Sequence, residues 1–194
     1  ILYKWFLRKR VSAHADYRLA CSAEAGVFLY GKKPFYVLNN ALEAKKYAYE
    51  ETLQKAKRKE LGIEPESRVI CEVASFTSPK NPMGCLDLFK QIHLKNPETR
   101  LLWVGDGPMR AAFEERVRNE HLDGMVQTLG VRSDVHEILQ AADVFFLPSL
   151  YEGLPISLVE AQASGLLCLV SDNVPRESDV TGLCRFLSID DPEK

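Results

Sequence analysis

The sequence is short of the features that fix a chemistry early. It has five cysteines in 194 residues, Cys21, Cys71, Cys85, Cys168 and Cys184, an odd number with no C-x-x-C pair. Several lie inside apolar runs, so they are expected as reduced core residues of a cytoplasmic protein and not as a disulfide framework. The four histidines have no metal-ligand spacing, and no His–Cys–Asp constellation emerges, so no metal is expected. No apolar run approaches the ~20 residues that span a bilayer. Charge of one sign is lacking too: a formal net charge of −2 with the signs mixed argues against a dedicated nucleic-acid binder. Repeats, low-complexity tracts, a signal peptide and an initiator methionine are missing. The chain opens on ILYKWFLRKR, which raises the expectation of a fragment. Its length suits one domain, or one and a fraction, with a large core.

What is there is a regular alternation. Apolar runs at Arg68–Ser75 (RVICEVAS), Thr99–Val104, Met125–Leu129, Val144–Leu147, Leu166–Val170 and Leu183–Leu187 read as buried strands. Between them, helical patterns run from Asn81 to Lys95, Pro108 to about Glu120, Asp134 to Ala141, and after Gly153. Strand–helix alternation predicts right-handed crossovers and a doubly wound, Rossmann-like parallel sheet of the α/β class. Ligands bind such sheets beyond the carboxyl ends of the strands, so the informative loops follow Val73, Val104, Leu129, Leu147 and Val170. Before this region, Tyr17–Ser22 reads as a short buried strand, Ala23–Tyr30 as a short helix, and Phe35–Glu43 as a strand and turn. Leu42–Leu61 reads as one charged helix ended by Gly62, with Lys55, Lys57, Arg58 and Lys59 on a solvated face.

The stretch that organises the rest is Tyr151–Gly165, YEGLPISLVEAQASG. Gly153 permits tight backbone geometry, Pro155 suits the first position of a helix, and Gly165 is placed to end it. A helix start favours an anion at its free N–H groups, here those of Gly153 and Leu154. An ionised Glu160 only accepts hydrogen bonds, so it suits both hydroxyls of a ribose diol. A nucleoside diphosphate has both a charged group and a diol.

Glu152 and Glu160 bracket seven residues, and with the glycine, the proline and the strand before them this block resembles the E-x7-E motif of retaining GT-B glycosyltransferases, in the exopolysaccharide and capsule branch. The likeness runs from about Tyr17 to the end. It implies that residues 1–34 are the remnant of an N-terminal acceptor domain and 35–194 the nucleotide-sugar-binding domain. It also implies a hexosyltransferase in full length, inactive as this chain alone, with no cofactor beyond its nucleoside-diphosphate-sugar donor. The acceptor would be a carbohydrate or a lipid-linked sugar. The family's I-P-N-x-I-D linker is echoed at Leu38–Glu43, with Asn40 matching, Asn39 in place of proline and Glu43 in place of aspartate. The basic amphipathic stretch Tyr3–Arg10 is expected to pack on the preceding domain, with an anionic membrane surface on the inner face as the other reading.

The resemblance also gives roles to the loops. In ASFTSPKNP, Lys80 matches the family lysine that clamps the donor phosphates, while Ser75 stands where the family has arginine. Gly105-Asp106-Gly107-Pro108 resembles a recurring donor-site turn. Taken alone, a G-x-G also fits a dinucleotide fingerprint. That motif needs a small residue where Arg110 stands and an acid where the next strand ends in Leu129-Gly130. Gly130 and Val131 would lie beside the base, with Arg132 either stacking on it or pairing with a surface acid. Ser149, Asp172 and Asn173 lie near strand ends and are expected to line the cleft. The resemblance implies Glu152 and Lys80 as catalytic, and Glu160, Gly153, Leu154, Gly105, Gly107, Ser75, Gly130 and Val131 as donor-binding. The rival readings are a nucleotide-sugar epimerase, which calls for carboxylates and a histidine around the cleft, and a non-catalytic nucleotide-binding module.

Overall fold

The computed structural model describes Arg10 and residues 13–38 and 40–189; Tyr3–Lys9 of the basic stretch and Asn39 of the linker echo lie outside the described residues. The chain divides into two compact units between Leu42 and Glu43. In the first, β1 (Leu19–Ala20), α1 (Ala23–Tyr30) and β2 (Tyr36–Val37) follow in order, and the two strands pair in parallel. Ser22 caps α1 by accepting from Ala25 N at 3.1 Å. The buried strand expected over Tyr17–Ser22 shrinks to two residues, with Leu19 50% exposed. A two-residue ladder is too short to cover its own apolar side chains.

The second unit begins with a 3₁₀ turn, Ala44–Tyr47, and α2, Glu51–Glu60. These replace the single helix expected from Leu42 to Leu61. The backbone at Ala48 (ψ 129°) and Glu50 (ψ 116°) is extended and breaks the helix between them. Then come β3 (Arg68–Val73), α3 (Pro82–Lys95), β4 (Thr99–Val104), α4 (Arg110–Asn119), β5 (Val126–Gly130), α5 (Val135–Ala141), β6 (Val144–Leu147), α6 (Ile156–Ala163), β7 (Leu167–Ser171) and β8 (Cys184–Leu187). The six strands from β3 onward form one parallel sheet in the order β5-β4-β3-β6-β7-β8. This is the doubly wound α/β architecture that the alternation predicts.

Side chains alternate across the sheet, as the period of a strand requires. Val69, Cys71, Leu102, Phe145, Leu147 and Val170 join Ile138, Leu139, Leu158 and Ala161 of α5 and α6 in one core layer. Ile70, Leu101 and Trp103 join Cys85, Leu86 and Phe89 of α3 and Phe113 of α4 in the other. Burial on both faces explains why the strands read as continuous apolar runs. Four of the five cysteines are buried free thiols, and Cys21 is partly covered.

Lys57 does not lie on a solvated face. It is only 4% exposed, where α2 packs near α5, and its ammonium meets Glu60 at 2.6 Å and Asp134 and Glu137 at 2.8 Å each. Burial works against its charge, but hydrogen bonds to Asp134, Glu137 and Glu60 outweigh it and raise the pKa. Of these acids only Glu60 is on the same helix; Asp134 lies 77 residues away and Glu137 farther still, so the helix's own pattern does not show them.

Candidate functional site

Strand β3 lies between β4 and β6, so the chain leaves it on one side and returns beside it on the other. Such a switch point opens a crevice above the carboxyl ends of the two diverging strands. The loop after β3 and the loop after β6 meet there. Leu150 N donates to Pro79 O at 2.8 Å, and Asn81 Nδ2 donates to Pro148 O at 3.2 Å. Asn81 sits in the left-handed region, φ 53°, and its side chain also accepts from Gly84 N at 3.2 Å, starting α3. This backbone lacing brings Lys80 Nζ onto Oε1 of Glu152 in a close, mostly buried ion pair. Ser149, fully buried, donates to the same oxygen at 2.7 Å.

The third loop comes from β4. Gly105 N donates to Gly130 O at 2.8 Å, Phe76 N to Asp106 O at 3.0 Å, and Met109 N to Phe76 O at 3.0 Å. The glycines therefore accommodate the chain's own neighbouring loop. A Cβ on Gly105, whose φ is +139°, would lie 2.1 Å from Ala74 O, and one on Gly107 would lie 2.6 Å from Phe76 O. Ser75 is exposed between these contacts, its hydroxyl 3.2 Å from that of Thr77. Arg110 is held by Asp106 at 3.0 Å and Glu114 at 2.8 Å. Of the two fates open to Arg132, the structure takes the acid: it donates to Asp134 at 2.8 and 2.7 Å and to Glu60 at 3.0 Å. Together with Lys57, this pairing holds the Asp134 carboxyl far below the usual carboxylate range, the Arg132 hydrogen bond being the larger cause. Val131 is 82% exposed beside it, and Asp172 and Asn173 are exposed at the end of β7.

In the Tyr151–Gly165 block the helix is α6. Pro155 is its cap and not its first helical residue: φ −72° fits a helix but ψ 111° is extended, and its carbonyl accepts from Leu158 N at 3.2 Å. Gly165 has the expected positive φ, +76°. Gly153 has no positive φ, and a Cβ there would meet nothing within 4 Å, so neither strain nor packing calls for a glycine. Leu154 is half-buried next to it. Glu160, half-buried on α6, accepts a 2.6 Å hydrogen bond from the Tyr47 hydroxyl. Tyr47 in turn meets the His136 ring edge-on, centroids 6.1 Å apart. Neither residue is among the sequence candidates; His136 is on α5, just after the loop that follows β5. Tyr47 lies 113 residues from Glu160, and no motif links them.

Beneath the Lys80–Glu152 pair, Glu72 of β3 is fully buried, and neither of its oxygens has a conventional hydrogen-bond partner. The Cys85 thiol of α3 lies against it, a weak donor. Burial pushes the Glu72 carboxyl well above its ordinary range; Cys85 and Lys80 pull against this, and Glu152 adds to it. Among the described residues, no group of three or more His, Cys, Asp or Glu is placed to hold a metal ion, and no helix is long and apolar enough to cross a membrane.

The family model for glycosyl transferases group 1 matches residues 54–182. A putative glycosyltransferase, EpsF of Bacillus subtilis (strain 168), is 35% identical over 191 residues, covering 95% of this chain and 50% of the relative. The UDP-Gal:alpha-D-GlcNAc-diphosphoundecaprenol alpha-1,3-galactosyltransferase of Escherichia coli is 31% identical over 182 residues, 89% of this chain and 46% of that one. The chain thus spans about half the length of the curated relatives it matches. Among solved structures, Anabaena Alr3699/HepE in complex with UDP-glucose superposes with a TM-score of 0.79 at 17% identity, over 93% of this chain and 52% of that one.

Proposed function

The chain belongs to the glycosyl transferases group 1 family, and on that premise we propose that it is the donor-binding half of a retaining hexosyltransferase. Its substrate is a nucleoside-diphosphate sugar, and the full protein passes the sugar to a polysaccharide or lipid-linked acceptor. The observation that carries this reading is the meeting of Lys80 and Glu152, 72 residues apart, at the switch point of the sheet. A crevice holding one cation and one carboxylate, poised as a pair, suits a ligand that carries both an anion and hydroxyls. The reading has support from relatives of E. coli and B. subtilis whose names give sugar transfer, and from a structural neighbour that holds UDP-glucose.

The leaving group of such a donor is a diphosphate, so the help it needs is charge stabilisation. Lys80 exchanges Glu152 for the phosphates and neutralises the charge that builds on the leaving oxygen. Glu152, fixed by Ser149, then accepts from hydroxyls of the donor sugar. Glu160 accepts from the ribose. The backbone at Gly153, Leu154, Gly105, Gly107, Gly130 and Val131 lines the donor, and Ser75 offers a neutral hydroxyl near its phosphates. No cofactor is needed for this chemistry. Groups that handle the acceptor lie outside this chain, which therefore binds donor without transferring sugar. Where the acceptor is lipid-linked, the full protein works at a membrane surface.

Calorimetry of the chain against UDP, GDP and ADP and their nucleosides tests the reading. One diphosphate should bind, and Lys80→Ala should weaken it about tenfold or more while hardly changing the nucleoside. A chain that binds none of the three, or a Lys80→Ala variant with undiminished diphosphate affinity, overturns it.

A further inference from the structure

Tyr47 is the point at which an otherwise exposed 3₁₀ turn is fastened to the sheet unit. Ala44, Lys45 and Lys46 of that turn face solvent, and Lys46 pairs only locally, with Glu43 at 2.8 Å. The Tyr47 ring is half-buried against the core layer that contains α5 and α6, with the His136 ring edge-on. A phenylalanine would fill that role equally. The hydroxyl adds something a packing residue does not need: it reaches Oε1 of Glu160 at 2.6 Å, the length of a charge-assisted O–H···O⁻ bond. Among the described residues no other hydrogen bond or ion pair is made to the Glu160 carboxylate.

A glutamate on a helix surface has high rotamer entropy, and a ligand that uses it must first freeze it. A tyrosine held by packing has two torsions and little to lose. We infer that Tyr47 is a positioning residue of the donor site, its hydroxyl fixing one oxygen of Glu160 so that the carboxylate is already set to accept from a ribose hydroxyl. This inference rests on the reading of Glu160 as the ribose acceptor. Burial, and then the Glu160 carboxylate, raise the Tyr47 pKa far above the ordinary phenol value, so the hydroxyl keeps its proton and remains the donor over any working pH. The arrangement makes sugar selection depend on a residue that touches no ligand.

The test is a comparison of ribose with deoxyribose in the whole chain. UDP, GDP and ADP, each with its 2′- and 3′-deoxy counterparts, are titrated into the wild type, Tyr47→Phe, Glu160→Gln and the double variant, with melting temperatures recorded for each. The wild type should prefer the full ribose about tenfold. Glu160→Gln should lose most of that preference. Tyr47→Phe should cut it about three- to fivefold, and the double variant should be no worse than Glu160→Gln alone, because the two side chains act as one unit. If Glu160→Gln loses the preference and Tyr47→Phe keeps it, the role of Tyr47 falls and that of Glu160 stands. If Tyr47→Phe weakens ribose and deoxyribose forms equally, its part is structural and the inference is overturned. If Glu160→Gln keeps the wild-type preference, the ribose assignment falls and takes this one with it; if none of the three diphosphates binds the wild type, the donor-binding reading itself falls.

Discussion

Replacing Glu72 with glutamine isolates the effect of one buried acid on pH-dependent stability. In the folded protein Glu72 is fully buried with neither oxygen conventionally bonded, and its pKa is raised, first by burial and then by Glu152, against the pull of Cys85 and Lys80. In the unfolded chain it titrates at about 4.3. Between that value and the raised folded value, the native state holds a proton that the unfolded state has lost. Stability from this group is therefore fully present below pH ~4 and declines as pH rises. One proton sets the limiting slope, about 1.4 kcal/mol per pH unit, at pH values between the unfolded and the raised folded pKa. Glutamine has the same outline and does not titrate. The carboxylates whose pKa values are lowered, Asp134 and Glu114 among them, act in both proteins and cancel in the difference. Urea unfolding of wild type and Glu72→Gln at pH 5, 6 and 7 should show the variant gaining on the wild type as pH rises, by at most about 1.4 kcal/mol per unit. Stability curves that run parallel across that range would mean that Glu72 is ionised or hydrated in the fold, and would refute the reasoning.

Ser75→Arg should strengthen diphosphate binding by about 1–2 kcal/mol, with the gain shrinking as salt rises and no gain for the nucleoside; equal gains for both would remove Ser75 from the phosphate site. Gly105→Ala should cost about 2–4 kcal/mol in denaturant unfolding, because φ is +139° and the new Cβ would lie 2.1 Å from Ala74 O, whereas Gly153→Ala, with nothing within 4 Å, should be near neutral. Lys57→Ala should destabilise by about 1–3 kcal/mol at neutral pH by removing the buried cation shared by Asp134, Glu137 and Glu60, of which Arg132 still pairs with Asp134 and Glu60, and an unchanged stability would show that cluster to be solvated.

The sequence by itself determined the architecture. Continuous apolar runs such as VFFL and TRLLWV leave no polar face to turn to water, so they are strands covered on both sides, and helices between them force a parallel sheet. It also singled out the candidate loops, since the carboxyl ends of the strands follow from their direction, and Tyr151–Gly165 carried the E-x7-E likeness whole. Element ends shifted by one or two residues where caps decide them, as at Pro155. Only the tertiary structure decided which charges find each other. Lys57 reads as solvated from its own helix because its partners Asp134 and Glu137 come from another element. The glycines of the loop after β4 are required by packing as well, because the loop from Ala74 to Phe76 lies against them, which their own stretch of sequence does not show. Glu72 sits in an apolar strand with nothing nearby in sequence to show that it would be buried without a conventional partner. Tyr47 and Glu160 lie 113 residues apart, and the 2.6 Å bond between them exists because α6 and the 3₁₀ turn pack on one face of the sheet. Local periodicity fixes which face of an element is buried, but a hydrogen bond depends on distances of tenths of an ångström between elements, which periodicity does not encode.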